Sequence, residues 1–140
     1  MPRLPMSGRF AGPQLVAISF LILVCSAQSS GNSYLIAGTW RGTSECMQPD
    51  SPCRDEVNVY RFSEISGKPD TFSGAASKIV DGKEVVMGTL DWTYDPEHHV
   101  LESKIERGKF RLVVSGNKIE GTLRLTDNTL YRRIHLERSK

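Results

Sequence analysis

Residues 109–125 read KFRLVVSGNKIEGTLRL, and this stretch decides the fold class. In the first part, Phe110–Val114, every second side chain is apolar and falls on one face. The second part, Lys118–Leu125, repeats the alternation with charged and hydroxyl side chains on the opposite face. Ser115-Gly116-Asn117 between them has the composition of a tight turn. The stretch therefore predicts a β-hairpin with one apolar face.

The chain from residue 35 onward continues this pattern of short alternating runs separated by turn residues. No run has the three-to-four-residue period of a helix. Turns are predicted at Asp81-Gly82, Asp95-Pro96 and Asp127-Asn128. The predicted strands are Leu35–Cys46, Val57–Phe62, Thr71–Val80, Glu84–Tyr94, Val100–Ile105, Phe110–Val114, Lys118–Leu125 and Leu130–Glu137.

Eight sequential strands joined by short turns favour an antiparallel up-and-down barrel, because closure removes the exposed strand edges. Glycines inside the runs, such as Gly42, Gly74 and Gly121, suit strands that bend sharply to close. A β-sandwich is the alternative architecture. We predict one all-β domain over residues 35–140, an eight-stranded meander barrel with one disulfide.

The first 27 residues differ in composition from the rest of the chain. Residues 1–14 carry two arginines and no acidic residue, and Leu15–Val24 is almost wholly apolar. Cys25-Ser26-Ala27 then ends in small residues. This three-part layout is typical of a signal peptide, with cleavage predicted after Ala27.

The apolar run of about ten residues is too short for a membrane-spanning helix, which needs about 20. We therefore expect no stable membrane insertion, although an uncleaved anchor and a lipid on Cys25 are alternatives. Residues 28–34 are polar and contain glycine, so they are predicted to form a disordered leader.

The charge balance argues against nucleic acid as a partner. Removing residues 1–27 takes away two of the 18 basic residues and none of the 16 acidic ones. The remaining domain is formally neutral, with charges scattered along the chain. It lacks the basic excess that binding to a phosphate backbone requires.

Two cysteines remain after the predicted cleavage, Cys46 and Cys53, with six residues between them. In an oxidising compartment this spacing favours a disulfide that closes the loop. A metal pair or free thiols are alternatives, but a metal needs further ligands and the loop offers only Asp50.

The two ends of the predicted barrel carry recognisable motifs. The first strand contains Gly38-Thr39-Trp40, and the last contains YRRIHL at residues 131–136. Together they resemble the two ends of a calycin barrel, the superfamily of lipocalins, fatty-acid-binding proteins and avidins. The resemblance implies that Trp40 closes the barrel floor beneath a basic side chain of the final strand. Strand parity points to Arg132 for that role.

The stretches GTWRGTSEC and SPCRDEVNVY, with the ending YRRIHL, are similar to a group of small secreted bacterial proteins without an assigned role. This resemblance implies a secreted protein of the bacterial periplasm or extracellular space. It implies no particular ligand.

Aromatic side chains are the best candidates for a binding site. Trp40, Trp92 and Tyr94 share the inward parity if Val86, Gly88 and Leu90 line the barrel, and Tyr60 can lie on either face. They either fill the core or line a pocket for a small apolar ligand.

The sequence offers little support for catalysis or metal binding. No nucleophile motif is present, and the adjacent His98 and His99 would point to opposite faces of an extended chain. We therefore expect a non-enzymatic binding module that holds a small apolar ligand, without cofactor or metal. The alternative is a protein-interaction or inhibitor domain that presents the loop 46–53 to a partner.

Overall fold

The computed structural model describes residue 12 and residues 33–140, with side chains described from residue 35 onward. The predicted signal peptide and residues 28–32 of the predicted leader lie outside the described residues. In the part of the chain that is described, no helix is long and apolar enough to cross a membrane.

The chain folds into a closed barrel of eight antiparallel strands in sequence order. Each strand pairs with the next, and the last pairs with the first. The prediction of an up-and-down meander barrel is confirmed. Its elements are α1 Ser33–Ile36, β1 Gly38–Cys46, β2 Glu56–Glu64, β3 Thr71–Val80, β4 Lys83–Asp95, β5 Val100–Ile105, β6 Gly108–Ser115, β7 Lys118–Leu125 and β8 Leu130–Arg138.

One correction concerns the start of the barrel. The first strand was predicted from Leu35, but the backbone makes one helical turn, α1, and β1 begins only at Gly38. Gly38 has a φ of 123°, and a Cβ there would lie 2.9 Å from the guanidinium of Arg138. A glycine is therefore needed where the chain turns from α1 into β1.

The barrel has two ends of different construction. The floor end is where β1 begins and β8 ends, and α1 lies there. The disulfide end is where β1 ends and β2 begins, joined by the loop 47–55. Because neighbouring strands are antiparallel, the tight turns 81–82 and 106–107 also lie at the disulfide end.

The inner face of the barrel is filled by large side chains. Trp40, Trp92 and Phe72 are fully buried, together with leucines and isoleucines of β5 to β8. A small eight-stranded barrel is only just wide enough for such side chains. The predicted inward parity of Trp40, Trp92 and Tyr94 is confirmed by exposures of 0%, 0% and 4%.

Val86 does not line the barrel, contrary to the prediction. A β-bulge places both Val86 and Met87 opposite the single residue Ser77, and regular pairing resumes at Gly88 with Ala76. The extra residue reverses the parity of β4, so Val86 points outward and is 75% exposed.

The β4–β5 junction is the weakest seam of the barrel. Only Thr93, Tyr94 and Asp95 pair with β5, all close to the floor end. Among the described residues, the long part of β4 before Thr93 has no strand partner on that side. The barrel is therefore closed along β4–β5 at one end only.

Candidate functional site

Trp40 closes the floor end, as the calycin resemblance implied, but its basic partner is Arg138 and not Arg132. The Arg138 guanidinium carbon lies 4.2 Å from the centre of the indole ring. Arg138 also donates to the backbone oxygens of Leu35 and Ala37, both at 2.7 Å. The Trp40 Nε1–H donates to the Ile36 oxygen at 2.8 Å. Stacking and donation together seal this end.

The stacking prediction for Arg132 fails because of register, not parity. Both arginines share the inner-face parity of β8, but β1 pairs Trp40 with Arg138 and Cys46 with Arg132. Arg132 therefore lies at the disulfide end, where its guanidinium carbon is 5.6 Å from the Tyr131 ring centre.

Arg132 has a structural role at the disulfide end instead. Its NH1 donates to the Arg54 oxygen at 3.0 Å and to the backbone and side-chain oxygens of Ser44 at 3.2 and 3.3 Å. Its NH2 lies 3.6 Å from a carboxylate oxygen of Glu56. Arg132 thus ties together β1, β2 and the end of the disulfide loop.

An inward polar cluster surrounds Arg132, and the sequence reasoning missed it. Glu56 interacts with both Arg132 and Lys78, whose ammonium lies 3.5 Å from the carboxylate. Asn58, only 1% exposed, donates to Glu56 and to the Ser77 backbone oxygen, each at 3.4 Å. The signal was available in the sequence, since residues 56 and 58 share the inner parity with Tyr60.

Tyr60 and Trp92 meet in an aromatic cluster between the two ends. Their ring centres are 6.2 Å apart in an edge-on arrangement. Phe62 and Phe110 also contact Trp92, at 5.5 and 5.3 Å between ring centres. Such edge-on and tilted pairs are favourable packing arrangements for aromatic rings. Tyr60 therefore faces inward, which the sequence had left open.

The Trp92 indole nitrogen is buried without a hydrogen-bond partner among the described residues. It packs instead against Gly74, where a Cβ would lie 2.5 Å from Nε1. A buried donor without an acceptor carries a desolvation cost of about 1–3 kcal/mol. Trp40, whose indole donates to Ile36, carries no such cost.

Burial raises the pKa of the Tyr60 hydroxyl to about 12, from an ordinary value of 10.0. Arg132 lowers this pKa and Glu56 raises it, in keeping with their charges. Tyr60 is thus neutral at physiological pH and lies within the electrostatic reach of the polar cluster.

Tyr94, the fourth predicted ligand residue, lies at the floor end. Its hydroxyl is 3.0 Å from Nδ1 of His99, in the turn that follows β4. In the same turn, Asp95 hydrogen-bonds to His98 over 2.6 Å, and this bond lowers the pKa of the Asp95 carboxyl. Within the described residues, no group of three or more His, Cys, Asp or Glu side chains is placed to hold a metal ion.

The disulfide between Cys46 and Cys53 is present, with the two Cα atoms 5.7 Å apart. Hydrogen bonds hold its loop against the start of β8. Met47 N donates to the Tyr131 oxygen at 3.0 Å, and the Gln48 side chain donates to the Leu130 oxygen at 2.9 Å. The crosslink is typical of a protein that folds in an oxidising environment outside the cytoplasm.

An open cavity of about 590 Å³ lies at the disulfide end. It lies between the β5–β6 turn and the β7–β8 loop, which are joined by a bond from Thr126 N to the Arg107 oxygen of 3.1 Å. Its lining combines apolar and charged side chains, namely Ile105, Leu123, Leu125 and Tyr131 with Glu106, Arg107, Thr126 and Asp127. We call it the disulfide-end cavity.

The four predicted ligand residues do not line this cavity. One of them, Trp92, is connected to the cavity indirectly. Leu123 in the lining is the cross-strand partner of Phe110, and Phe110 packs against Trp92. The loops that form the cavity show no periodic pattern, so sequence reasoning had no signal for it.

Comparison with known proteins adds no assignment. No protein-family model matches the chain. No curated protein is significantly similar to it in sequence. The barrel is consistent with a calycin-like fold, and the function must be argued from the site itself.

Proposed function

We propose that this domain is a secreted, non-enzymatic binding module that takes a small, largely apolar ligand in the disulfide-end cavity. The observation that carries the proposal is the cavity itself. Its volume of about 590 Å³ lies within the range of roughly 300–1,000 Å³ that is typical of small-molecule sites.

The chemistry of the lining supports an apolar ligand with a polar end. Ile105, Leu123 and Leu125 offer an aliphatic surface, while Tyr131 adds an aromatic ring and a hydroxyl. A few polar groups at the edge of an apolar surface are what a small-molecule site needs to fix orientation. The aromatic cluster lies behind Leu123, so ligand binding would be felt at Trp92.

This proposal moves the ligand away from the residues predicted from the sequence. Trp40 packs at the floor end, whereas Tyr94 contributes to the wall of a separate cavity there, of about 340 Å³, together with His98 and Arg111. Tyr60 and Trp92 lie between the two ends, and Trp92 is linked to the disulfide-end cavity only through Phe110 and its cross-strand partner Leu123. Tyr131 lines the disulfide-end cavity from β8.

The test uses the neutral fluorescent probe N-phenyl-1-naphthylamine, titrated against the domain, with the tryptophan emission of a Trp40→Phe variant, which leaves only Trp92, as a second readout. We expect saturable binding, and we expect Ile105→Ser to weaken it by about tenfold through lost apolar contact. Val86→Ser is the matched control, because Val86 is exposed on β4 away from the cavity. Equal affinity for both variants would contradict the cavity assignment.

A second candidate is a protein-interaction or inhibitor function of the loop 46–53. The favouring observation is its internal order: the backbone and side chain of Ser51 both donate to the Gln48 oxygen, at 3.1 and 2.8 Å. Pro49, Asp50 and Pro52 remain exposed. A loop ordered in advance loses little conformational entropy on docking.

Substitutions distinguish the two candidate functions. An interaction that is lost in Asp50→Lys but retained in Ile105→Ser belongs to the loop. The opposite result belongs to the cavity. Native mass spectrometry of the protein from its own source would weigh a retained ligand or partner directly.

A further inference from the structure

The outer face of β5 to β8 carries a concentrated basic surface. Lys109 and Arg124 are cross-strand partners, and one row further along the strands Arg111 lies opposite Thr122. Lys104 extends the first row and Arg133 the second, through their pairings with Lys109 and Thr122. Alternation places all these side chains outside, so the charges that look scattered in the sequence form one patch.

A second cavity, of about 220 Å³, lies within this patch. Three cations line it, Lys109, Arg111 and Arg124, and no acidic residue does. The remaining lining comes from Thr122, Leu125, Thr126 and Asn128. By contrast, Glu106 and Asp127 contribute to the disulfide-end cavity. We call the basic cavity the cation pocket.

The geometry points to a binding site for a phosphomonoester group in the cation pocket. This inference concerns a different ligand from that of the proposed function, at a neighbouring pocket that shares Leu125 and Thr126 with the disulfide-end cavity. The class of ligand follows from charge, donor arrangement and size.

The charge balance selects a dianion. Lys109 lies 2.9 Å from the Glu102 carboxylate, which therefore offsets one of the three cations. The Nε of Arg111 is 3.8 Å from the same carboxylate and shares it only loosely. Two positive charges remain uncompensated, and a phosphomonoester carries about −1.5 to −2 at pH 7.

The donor arrangement suits a tetrahedral oxyanion. Guanidinium groups bind phosphate through paired N–H donors, and Arg111 and Arg124 approach the pocket from neighbouring strands. Arg124 is held in place by a bond of 3.0 Å from its NH1 to the Asn128 oxygen. The hydroxyls of Thr122 and Thr126 supply neutral donors for the remaining oxygens.

The pocket is smaller than the range for drug-sized ligands, which suits a single charged group and the atoms next to it. Lys104 and Arg133 lie in the surrounding surface and would attract such an anion from a distance. The phosphomonoester could belong to a soluble metabolite or to the headgroup of a lipid.

The test titrates sn-glycerol 3-phosphate into the isotopically labelled domain and follows amide shifts of β6 and β7, with glycerol as the uncharged control. We expect binding of the phosphate but not of glycerol. Arg124→Gln and Arg111→Gln should each weaken it by about tenfold, as loss of a charge-assisted bond does. Lys83→Gln, an exposed cation on β4, is the matched control and should bind normally.

A vesicle arm distinguishes the two sources. Sedimentation is measured with phosphatidylcholine vesicles, with and without phosphatidic acid. Binding to the soluble ester assigns the pocket to free phosphomonoesters. Binding only to phosphatidic acid vesicles, lost in Arg124→Gln, assigns it to a lipid headgroup. Absence of binding in both arms, or equal binding by Arg124→Gln and the parent domain, would overturn the inference.

Discussion

Each end of the barrel has an arginine of β8 beside an aromatic ring, but the two arginines have different roles. At the floor end, Arg138 stacks on Trp40, and its donors and the indole N–H all reach backbone oxygens of α1 and the residue after it. At the disulfide end, Arg132 lies over Tyr131 beside a cavity and a charged cluster. Arg138 closes the floor end, whereas Arg132 ties Ser44, Arg54 and Glu56 together at the disulfide end.

The difference teaches where stability and binding reside in so small a domain. Hydrogen bonds between buried groups stabilise only when every partner is satisfied, and the floor end meets that condition. The disulfide end holds charged groups that keep partial exposure to solvent, and it contains a covalent crosslink. A crosslink can hold a loop in place without filling the space beside it.

Replacing Trp40 by alanine should give the largest effect and break the floor end. Loss of a fully buried indole typically costs about 3–5 kcal/mol, and here it also leaves Arg138 without its stacking surface. Denaturant unfolding followed by circular dichroism measures the change. Tyr131→Ala is the comparison at the other end, where we expect a stability loss of about 1 kcal/mol and weaker probe binding. Similar stability losses for the two variants would contradict the division between the ends.

Alkaline unfolding tests the burial of the Tyr60 hydroxyl. Because the folded-state pKa of Tyr60 is raised above the unfolded value of 10.0, the neutral hydroxyl stabilises the fold fully below pH 10. That contribution is lost as pH rises from 10 to about 12, and a shift of about two units corresponds to roughly 2–3 kcal/mol. Unfolding free energies measured across this range should fall more steeply for the parent than for Tyr60→Phe. If the unfolding free energies of the parent and of Tyr60→Phe fall in parallel with pH, the ionisation of Tyr60 does not contribute to alkaline unfolding.

Substitutions of the three arginines of β8 should give the smallest stability losses. Arg138→Lys should cost about 1–2 kcal/mol, because lysine cannot both stack on Trp40 and donate to two separate oxygens. Arg132→Lys should cost about 1 kcal/mol through its lost bonds to Ser44 and Arg54. Arg133→Ala, at an exposed position, should stay within about 0.5 kcal/mol. Thermal unfolding of the three variants measures the order. A larger loss for Arg132→Lys than for Arg138→Lys would reverse the assignment of the floor.

Alternation in the sequence was enough to predict the barrel and the faces of its strands. Each of the eight predicted strands overlaps an observed one, and Trp40, Trp92 and Tyr94 point inward as expected. Period-two patterning reports which face a residue occupies. It carries no information about how far along the barrel axis two strands are shifted.

That limitation explains the error over Arg132, and an interruption of the pattern explains the error over Val86. Arg132 and Arg138 have the same parity, so only the β1–β8 register decides which of them meets Trp40. Val86 was misplaced because a bulge inserts one residue, and parity arguments hold only for uninterrupted pairing. Gly88, which follows the bulge, has a φ of 153°, a backbone conformation that favours glycine.

The cavities could not be predicted because they depend on how loops and strands converge. The disulfide-end cavity is formed by two connections together with the ends of β5, β7 and β8, which lie far apart in the sequence. The cation pocket combines residues of β6 and β7 that become neighbours only once Lys109 pairs with Arg124. In both cases the information lies in tertiary pairing.

The incomplete β4–β5 seam has a consequence for solubility. A long strand with an unpaired edge is a template for intermolecular sheet growth, and β4 also exposes Val85, Val86 and Met87. Two features protect β4 against such growth. The bulge at Met87 interrupts the straight run of backbone donors and acceptors. Lys83 and Glu84 place charges at the start of the strand. The extra residue that turns Val86 outward therefore also protects β4 against fibril-like assembly.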